Sequence, residues 1–323
     1  MKNSSSLLSI KNLKTAFQVE GKNVTVVNNV SFDLRPGEIV GLVGESGCGK
    51  SVTALSLMRL VPDPPGKIIG GEILLEGKDL LKLSEEEMEK VRGKEIGMIF
   101  QEPMTSLNPV LTIGKQLTEI LELHQNLDEE EAVIEAINLL KLVGLPDPEL
   151  RIKNYPHQLS GGQRQRVMIA IALSCKPKIL IADEPTTALD VTIQAQILEL
   201  IQGLTKNLGT SVVLITHNLG ILARYAHRIN VMYAGHLIES GTTDQIFYSP
   251  KHPYTSGLLN SVPRLDLKTD LDLPTIPGEV PNLTEFGNGC AFRSRCSNPT
   301  NECINEKSEM KLIEIEADHF VDK

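Results

Sequence analysis

The sequence predicts an α/β fold with parallel strands, and two observations support it. Three short apolar runs, at 37–44, 178–183 and 211–216, have the composition of buried strands. Helical patterns follow the first two runs, at 50–60 and 191–209. Because strands that alternate with helices form βαβ units, we expect these strands to be parallel.

Two further segments predict antiparallel strands. Residues 7–35 alternate apolar and polar side chains in short runs, with a turn at 20–23. Residues 228–241 have the pattern of a hairpin that turns at Ala234-Gly235. The predicted sheet structure is therefore mixed.

Two amphipathic helices are expected between the strand-rich regions, at 112–124 and 127–145. Asp128 is the expected N-cap of the second helix, and Glu131 completes a capping box. Gly144 is the expected stop. These helices belong to a predicted helical block.

Composition excludes several classes of protein. Of 323 residues, 41% are hydrophobic and 23% are charged, and the net charge of −9 gives no basic surface for nucleic acid. No apolar run approaches the roughly 20 residues that span a bilayer. The N-terminus lacks the apolar core of a secretory signal. We therefore expect a cytoplasmic chain, in which clustered cysteines favour metal binding or catalysis over disulfides.

The character of the sequence changes after residue 250. Prolines cluster between 250 and 281, and the apolar periodicity fades. We place a domain boundary near 262. Residues 1–262 then form one domain with a helical subdomain at about 103–175, and residues 263–323 form a small cysteine-containing extension.

The loop GESGCGKS, at 44–51, matches G-x-x-x-x-G-K-[ST] without deviation. Its glycines let successive backbone N–H groups face one anion, and the following helix adds the positive end of its dipole. Lys50 is expected to reach the β- and γ-phosphates, and the Ser51 hydroxyl to bind Mg²⁺. The alternative, a chance glycine-rich turn, is disfavoured by the strand before and the helix after. We interpret Cys48 as a small side chain at a variable position rather than as a reactive thiol.

The run ILIADEP, at 179–185, supplies two carboxylates after an apolar strand. Asp183 is expected to hold Mg²⁺, and Glu184 to polarise the attacking water as a general base. An Asp-Glu pair after a strand is often a solvated loop. The complete phosphate loop favours the catalytic interpretation.

The run LSGGQRQRVMIAIAL, at 159–173, resembles the signature of ATP-binding-cassette (ABC) ATPases. The resemblance implies a P-loop NTPase of ABC-cassette type, with a RecA-like core, an antiparallel β subdomain and a helical subdomain. It also implies that this segment contacts the nucleotide held by a second subunit, so that ATP joins two cassettes.

Other elements of the family follow in order. Gln101 resembles the Q-loop glutamine, residues 188–190 resemble the D-loop, and His217 resembles the switch histidine. Phe17 matches the aromatic side chain that stacks on adenine, although an alternating strand could equally bury it. The resemblance therefore implies catalytic residues Glu184, His217 and Gln101; ATP-binding residues Phe17, Gly44, Glu45, Ser46, Gly47, Cys48, Gly49, Lys50, Ser51 and Val52; contacts in trans from Ser160, Gly161, Gly162, Gln163 and Asp190; and Mg²⁺ ligands Ser51, Gln101 and Asp183.

Residues 100–116 and 249–266 resemble segments of peptide and nickel importers. Over essentially its whole length the chain is similar to ATP-binding subunits of the oligopeptide/dipeptide ABC importer family. That implies ATP hydrolysis coupled to peptide import at the cytoplasmic face of the membrane, as a peripheral subunit. The implied partners are a second ATPase subunit, expected to be a paralogous chain, two transmembrane permease subunits and, indirectly, an extracytoplasmic peptide-binding protein, with no nucleic acid.

Three alternatives stay open. The two cassettes could be identical chains. The cargo could be nickel or a metal chelate. A soluble ABC ATPase without a role in transport is less favoured, because the chain has neither a second cassette nor a long insertion.

Cys290, Cys296 and Cys303 follow the spacing C-x₅-C-x₆-C. This spacing differs from the paired C-x₂-C of zinc sites. It resembles the C-terminal unit of the importer family, which is associated with a four-cysteine [4Fe–4S] cluster. The fourth ligand is not identified, because Lys323 stands about where the family has a cysteine; His319 is a candidate substitute. Three thiols packed in a small core, or a disulfide, are the alternatives.

Overall fold

The computed structural model of the chain describes residues 6–187, 189–262, 275–281, 289–304 and 311–322. The chain forms two compact units. The first unit comprises Met1–Leu34, Ile39–Leu81 and Thr216–Lys323, and the second comprises Arg35–Glu38 and Lys82–Ile215. The domain boundary near 262 stays a prediction. No helix within the described residues is long and apolar enough to cross a membrane.

The strands and helices are numbered in chain order. The strands are β1 (Leu8–Val19), β2 (Lys22–Leu34), β3 (Ile39–Val43), β4 (Gly66–Leu75), β5 (Lys78–Asp79), β6 (Ile96–Ile99), β7 (Ile179–Asp183), β8 (Ser211–Ile215), β9 (Arg228–Tyr233), β10 (His236–Thr242), β11 (Leu312–Glu316) and β12 (His319–Asp322). The helices are α1 (Lys50–Leu57), α2 (Glu85–Val91), α3 (Pro103–Ser106), α4 (Ile113–Gln125), α5 (Glu129–Leu142), α6 (Pro148–Arg151), α7 (Gly161–Leu173), α8 (Val191–Leu208), α9 (Leu219–Tyr225), α10 (Thr243–Tyr248), α11 (Pro253–Asn260) and α12 (Asn301–Ile304).

In the first unit, an antiparallel sheet has the order β2-β1-β4-β5. A second set of strands has the order β11-β12-β10-β9-β3, in which β3 and β9 are parallel and the other neighbours are antiparallel. The predicted hairpin between β9 and β10 is confirmed. Ala234 and Gly235 have φ values of 45° and 84° at its turn, the left-handed pair that a two-residue hairpin requires.

In the second unit, β8, β7 and β6 are parallel neighbours in that order. All residues of β7 and β8 are buried, which explains why both appear in the sequence as continuous apolar runs. The predicted helix after Asp128 is confirmed, with Asp128 and Glu131 forming a capping box.

Gly97 in β6 sets how closely helix α7 packs in the second unit. A Cβ atom added at Gly97 would overlap the backbone carbonyl oxygen of Ala172, near the end of α7. Strand and helix are therefore in backbone contact at this point, which a larger residue would prevent.

The C-terminal hairpin was not predicted. Strands β11 and β12 pair with each other, and β12 also pairs with β10 through Ser240–Phe320 and Glu239–Val321. His319 and Val321 are buried, whereas β11 is largely exposed. Three of the four residues of β12 are buried, where β10 pairs with it.

Candidate active site

The phosphate loop of the first unit joins β3 to α1. Gly47 and Gly49 have φ values of 78° and 100°, which residues other than glycine rarely adopt. Lys50 is 5% exposed, and its Nζ donates hydrogen bonds to the backbone oxygens of Gly44 at 2.8 Å and Glu45 at 3.0 Å. The ammonium group is therefore held against the loop at the N-terminus of a helix, where an anion is favoured.

Cys48 is buried in this loop, 1% exposed. Burial raises the pKa of its thiol, and the nearby Lys50 opposes that shift. The thiol is therefore protonated at neutral pH. This state fits a small packing side chain and not a reactive nucleophile.

Two other predicted site residues lie in the first unit. His217 is exposed and follows Thr216, whose N–H donates to the oxygen of Leu42 at 3.2 Å. That bond places His217 beside the strand that leads into the phosphate loop. Phe17 is half-buried, and its ring packs on Gly66, where an added Cβ would lie 2.6 Å from the ring.

In the second unit, Asp183 ends β7 and is 4% exposed. The next residue, Glu184, has φ of 45°, and its N–H donates to the oxygen of Ile215 at 2.9 Å. Its carboxylate accepts hydrogen bonds from Gln101 Nε2 at 3.1 Å and from Thr187 Oγ1 at 2.9 Å. Gln101 and Glu184, 83 residues apart in sequence, are thus brought together.

Sequence reasoning missed two residues of this cluster. Thr187 lies three residues after Glu184, a spacing from which its hydroxyl reaches back to the carboxylate. Gln165, buried in α7, donates through Nε2 to the oxygen of Pro185 at 2.6 Å. Gln165 lies between Arg164 and Arg166 in a polar stretch of the sequence, so nothing in the sequence marked it as a buried contact.

The signature segment begins α7. Ser160 is exposed; its Oγ accepts from the Gln163 N–H at 3.3 Å, and the Gln163 side chain returns a bond to the Ser160 N–H. A Cβ at Gly162 would lie 3.2 Å from Ile193 in α8. Asp190 caps α8 by accepting from the N–H of that same Ile193 at 3.0 Å. Ser160, Gly162 and Asp190 therefore lie at two adjacent helix N-termini; Ala188 lies outside the described residues.

The predicted magnesium ligands suit that ion chemically. Ser51 in the first unit offers a hydroxyl at the start of α1, and Asp183 and Gln101 in the second offer carboxylate and amide oxygens. Mg²⁺ prefers such hard oxygen donors.

The three C-terminal cysteines do not support an iron–sulfur cluster. Among the residues that the structure describes, no three His, Cys, Asp or Glu side chains are grouped so that they could hold a metal ion. Cys290 is buried and its N–H donates to the oxygen of Cys303, whose sulfur lies 3.2 Å from the Thr300 hydroxyl. All three thiols are free, which also excludes the disulfide. His319 Nε2 lies 2.8 Å from a carboxylate oxygen of the buried Glu239, and Lys323 lies outside the described residues.

Matches to known proteins agree with this geometry. A family model described as ABC transporter matches residues 27–187, and one described as oligopeptide/dipeptide transporter, C-terminal region, matches residues 238–303. The chain is 53% identical over 98% of its length to the oligopeptide transport ATP-binding protein OppD of Bacillus subtilis, covering 87% of that protein. It is 54% identical to the dipeptide transport ATP-binding protein DppD of the same organism, over 92% of this chain and 88% of the relative.

The chain belongs to the oligopeptide/dipeptide family of ABC transporter ATP-binding proteins. It is an ABC-type ATPase with the predicted cassette fold. A solved dimer of the ATP-binding cassette MJ0796 bound to ADP and phosphate matches with a TM-score of 0.66 at 29% identity, over 73% of this chain and 98% of that one.

Proposed function

We propose that this ABC ATPase powers the import of oligopeptides or dipeptides. The observation that carries the proposal is the pairing of a nucleotide-binding cassette with the C-terminal region matched at 238–303. The relatives OppD and DppD are named as oligopeptide and dipeptide transport proteins, which supports peptide cargo over nickel or a metal chelate.

In the first unit, we assign Gly44–Val52 to binding the phosphates of ATP. Lys50 and the loop N–H groups neutralise phosphate charge, and the Ser51 hydroxyl is a magnesium ligand. Phe17 stacks on the adenine, and His217 contacts the γ-phosphate. Bound Mg²⁺ supplies positive charge to the β- and γ-phosphates.

In the second unit, we assign Glu184 as the general base. Its carboxylate is oriented by hydrogen bonds from Gln101 and Thr187, so a lone pair is available to a water molecule in a fixed direction. Asp183 and Gln101 are the other magnesium ligands. Positioning and charge account for most of the rate, since phosphoryl transfer needs little covalent chemistry from the protein.

A second ATPase subunit completes each site in this proposal. Ser160, Gly161, Gly162, Gln163 and Asp190 contact the nucleotide of the other subunit. The exposed Ser160 at the N-terminus of a 13-residue helix supports this role, because that end of a helix attracts phosphate. We propose a paralogous chain as the partner.

The membrane partners follow from the same assignment. Two permease subunits would be the membrane partners, and a short helix of a permease would dock beside Gln101 and the helical block at 112–158, on the cytoplasmic face of the membrane. Exposed apolar side chains in this part of the second unit support docking; Phe100, Val110 and Leu123 are 37%, 76% and 69% exposed.

Uptake of labelled peptides tests the proposal. A strain that lacks the gene should lose uptake of defined dipeptides or oligopeptides and keep nickel uptake. The wild-type chain should restore uptake, and Glu184→Gln should not. Loss of nickel uptake with intact peptide uptake would establish the alternative cargo. Unchanged uptake of both, with the protein absent from membranes, would indicate an ATPase outside transport.

A further inference from the structure

Glu45, the second residue of the phosphate loop, is held by residues from the C-terminal part of the chain. Its backbone N–H donates to the hydroxyl of Tyr254 at 2.9 Å, and its carboxylate pairs with Arg295 Nη1 at 2.9 Å. Its backbone oxygen accepts from Lys50 Nζ at 3.0 Å. The three polar groups of one loop residue are thus engaged at once, two of them by residues more than 200 positions away.

Arg295 is built into its place. Its side chain is 6% exposed, against 27% for Glu45. Nε donates to the oxygen of Pro277 at 3.0 Å, and Nη2 donates to the oxygen of Ile276 at 3.2 Å. Two backbone carbonyls therefore fix the guanidinium plane and leave Nη1 directed at the carboxylate. Because the arginine is already held in one geometry, this charge-assisted pair loses less side-chain entropy than an ion pair between two mobile surface side chains.

An aromatic cluster supports the same contact. The ring of Tyr233, at the end of β9, lies 4.6 Å from that of Tyr254 and 5.3 Å from that of Phe292. The Arg295 guanidinium lies 5.8 Å from the Tyr233 ring and 6.0 Å from the Phe292 ring. The packed rings therefore hold both the Arg295 guanidinium and the Tyr254 hydroxyl within hydrogen-bond distance of Glu45.

Tyr254 is in turn tied to the C-terminal strand. The buried Glu239 in β10 accepts from the N–H groups of Lys251 and His252, at the start of α11, at 2.8 and 2.9 Å. Its carboxylate also lies 2.8 Å from His319 Nε2 in β12. Strand β12 and helix α11 therefore share one buried acceptor, and α11 carries the tyrosine that bonds to the phosphate loop.

We infer that Arg295 is a positioning residue through which the C-terminal extension controls how tightly the phosphate loop binds ATP. Two physical effects act in the same direction. The pair with Arg295 fixes the loop backbone at Glu45, and it neutralises a carboxylate inside a loop that must accept a polyanion. Removing the arginine frees the loop and leaves a negative charge beside the phosphates.

The test is a double-mutant cycle on the full-length chain, with two readouts: binding of fluorescently labelled ATP by the chain alone, and steady-state hydrolysis by the chain assembled with its partner subunit. Arg295→Met should weaken ATP binding about tenfold, within the usual range of coupling between sites. KM for ATP should rise, while kcat at saturating ATP stays unchanged. Adding Glu45→Gln should restore most of the affinity, because the unpaired negative charge is then absent.

Two further variants separate positioning from folding. Arg295→Lys keeps the charge opposite Glu45 but loses the planar bonds to Ile276 and Pro277. It should bind ATP more tightly than Arg295→Met. Lys251→Gln is the matched control. It removes a cation that pairs with Glu316 of the extension at 3.2 Å, and it should leave KM unchanged.

Three results would overturn the inference. They are an unchanged KM in Arg295→Met, a double variant as weak as the single one, and equal losses in the lysine and methionine variants. The inference rests on ATP binding by the phosphate loop. If Lys50→Ala binds ATP normally, the assignment of the phosphate loop is wrong. If Lys50→Ala binds ATP weakly and Arg295→Met binds it normally, only the role of the extension is wrong.

Discussion

The phosphate loop and the signature segment are expected to face the same kind of ligand, yet they differ in how they are packed. Lys50 is 5% exposed and is bonded to its own loop, which the C-terminal extension also contacts through Glu45. Ser160 is exposed, and its hydroxyl accepts a bond from the first turn of its own helix. The first region has its geometry fixed by contacts within one chain, whereas the second leaves a helix N-terminus exposed.

This difference indicates which substitutions should weaken ATP binding by the isolated subunit and which should act only when two subunits assemble. A change in the packed loop should be visible as weaker ATP binding by the isolated subunit. A change in the exposed segment should become visible when two subunits have to close. The first three predictions below test that division, beginning with the largest expected effect, and the fourth tests the stability of the C-terminal strand.

The Glu184→Gln variant should still bind ATP. Its rate of hydrolysis should fall about 10²–10⁴-fold, because the proposed general base is lost. The ATP-bound dimer should accumulate, which size-exclusion chromatography with ATP can measure. Glu149→Gln, an exposed carboxylate paired with Lys141 in the same unit, is the control and should hydrolyse normally. Near-normal turnover by Glu184→Gln would remove its role as base.

Ser160→Arg should lower hydrolysis by about 100-fold while leaving ATP binding by the isolated chain within about twofold, since bulk and charge are added outside the packed loop. Ser160→Ala is the comparison, because it loses the cap, worth about 1 kcal/mol, without adding bulk. Weak binding in Ser160→Arg would mean that Ser160 serves its own subunit's nucleotide.

Lys50→Ala should weaken ATP binding by the isolated chain about 10–150-fold, the equivalent of the 1.5–3 kcal/mol of a charged hydrogen bond. Isothermal titration with ATP measures it directly. Lys50→Arg keeps the charge and should lose less. If Lys50→Ala bound ATP normally but failed to dimerise, the division between the two regions would be wrong.

Asp322→Asn should change stability rather than activity. Asp322 in β12 is buried, and burial raises the pKa of its carboxyl from 3.8 to about 7. As pH rises from about 4 to 7, the unfolded chain loses this proton before the folded one does, so the free energy of unfolding falls across that window.

The asparagine variant lacks this titration and should be more stable than the wild type at pH 8, by up to about 4 kcal/mol. The gain at pH 5 should be smaller. Thermal unfolding at the two pH values checks the sign, and an equal gain at both would show that the carboxyl does not titrate with folding.

The elements that local chemistry determines could be predicted from the sequence. The capping box at Asp128, the turn at Ala234-Gly235 and the buried strand before Asp183 each depend on residues within a few positions of one another. The motifs of the phosphate loop and the signature have the same property. Such features can be recognised from the residues that form them, without knowledge of the rest of the fold.

Features that depend on distant partners could not be predicted. Strand β12 is four residues long, and its pattern becomes meaningful once β10 covers it. The pair of Glu45 and Arg295 joins residues 250 positions apart, and neither residue is unusual in its own segment. The cysteine spacing predicted an iron–sulfur cluster through resemblance alone, and the described residues contain no group of three side chains that could hold a metal ion.

The backbone contact at Gly97 has a mechanical consequence. Helix α7 is held against β6 near its far end, at Ala172, whereas Ser160 stands at the opposite end. The two points are 12 residues apart, or about 18 Å along the axis, so a rotation of about 5° about that fulcrum displaces Ser160 by about 1.6 Å. A larger side chain at position 97 would push the Ala172 end of α7 away from β6, and a tilt of that size would move the exposed Ser160 end of the helix.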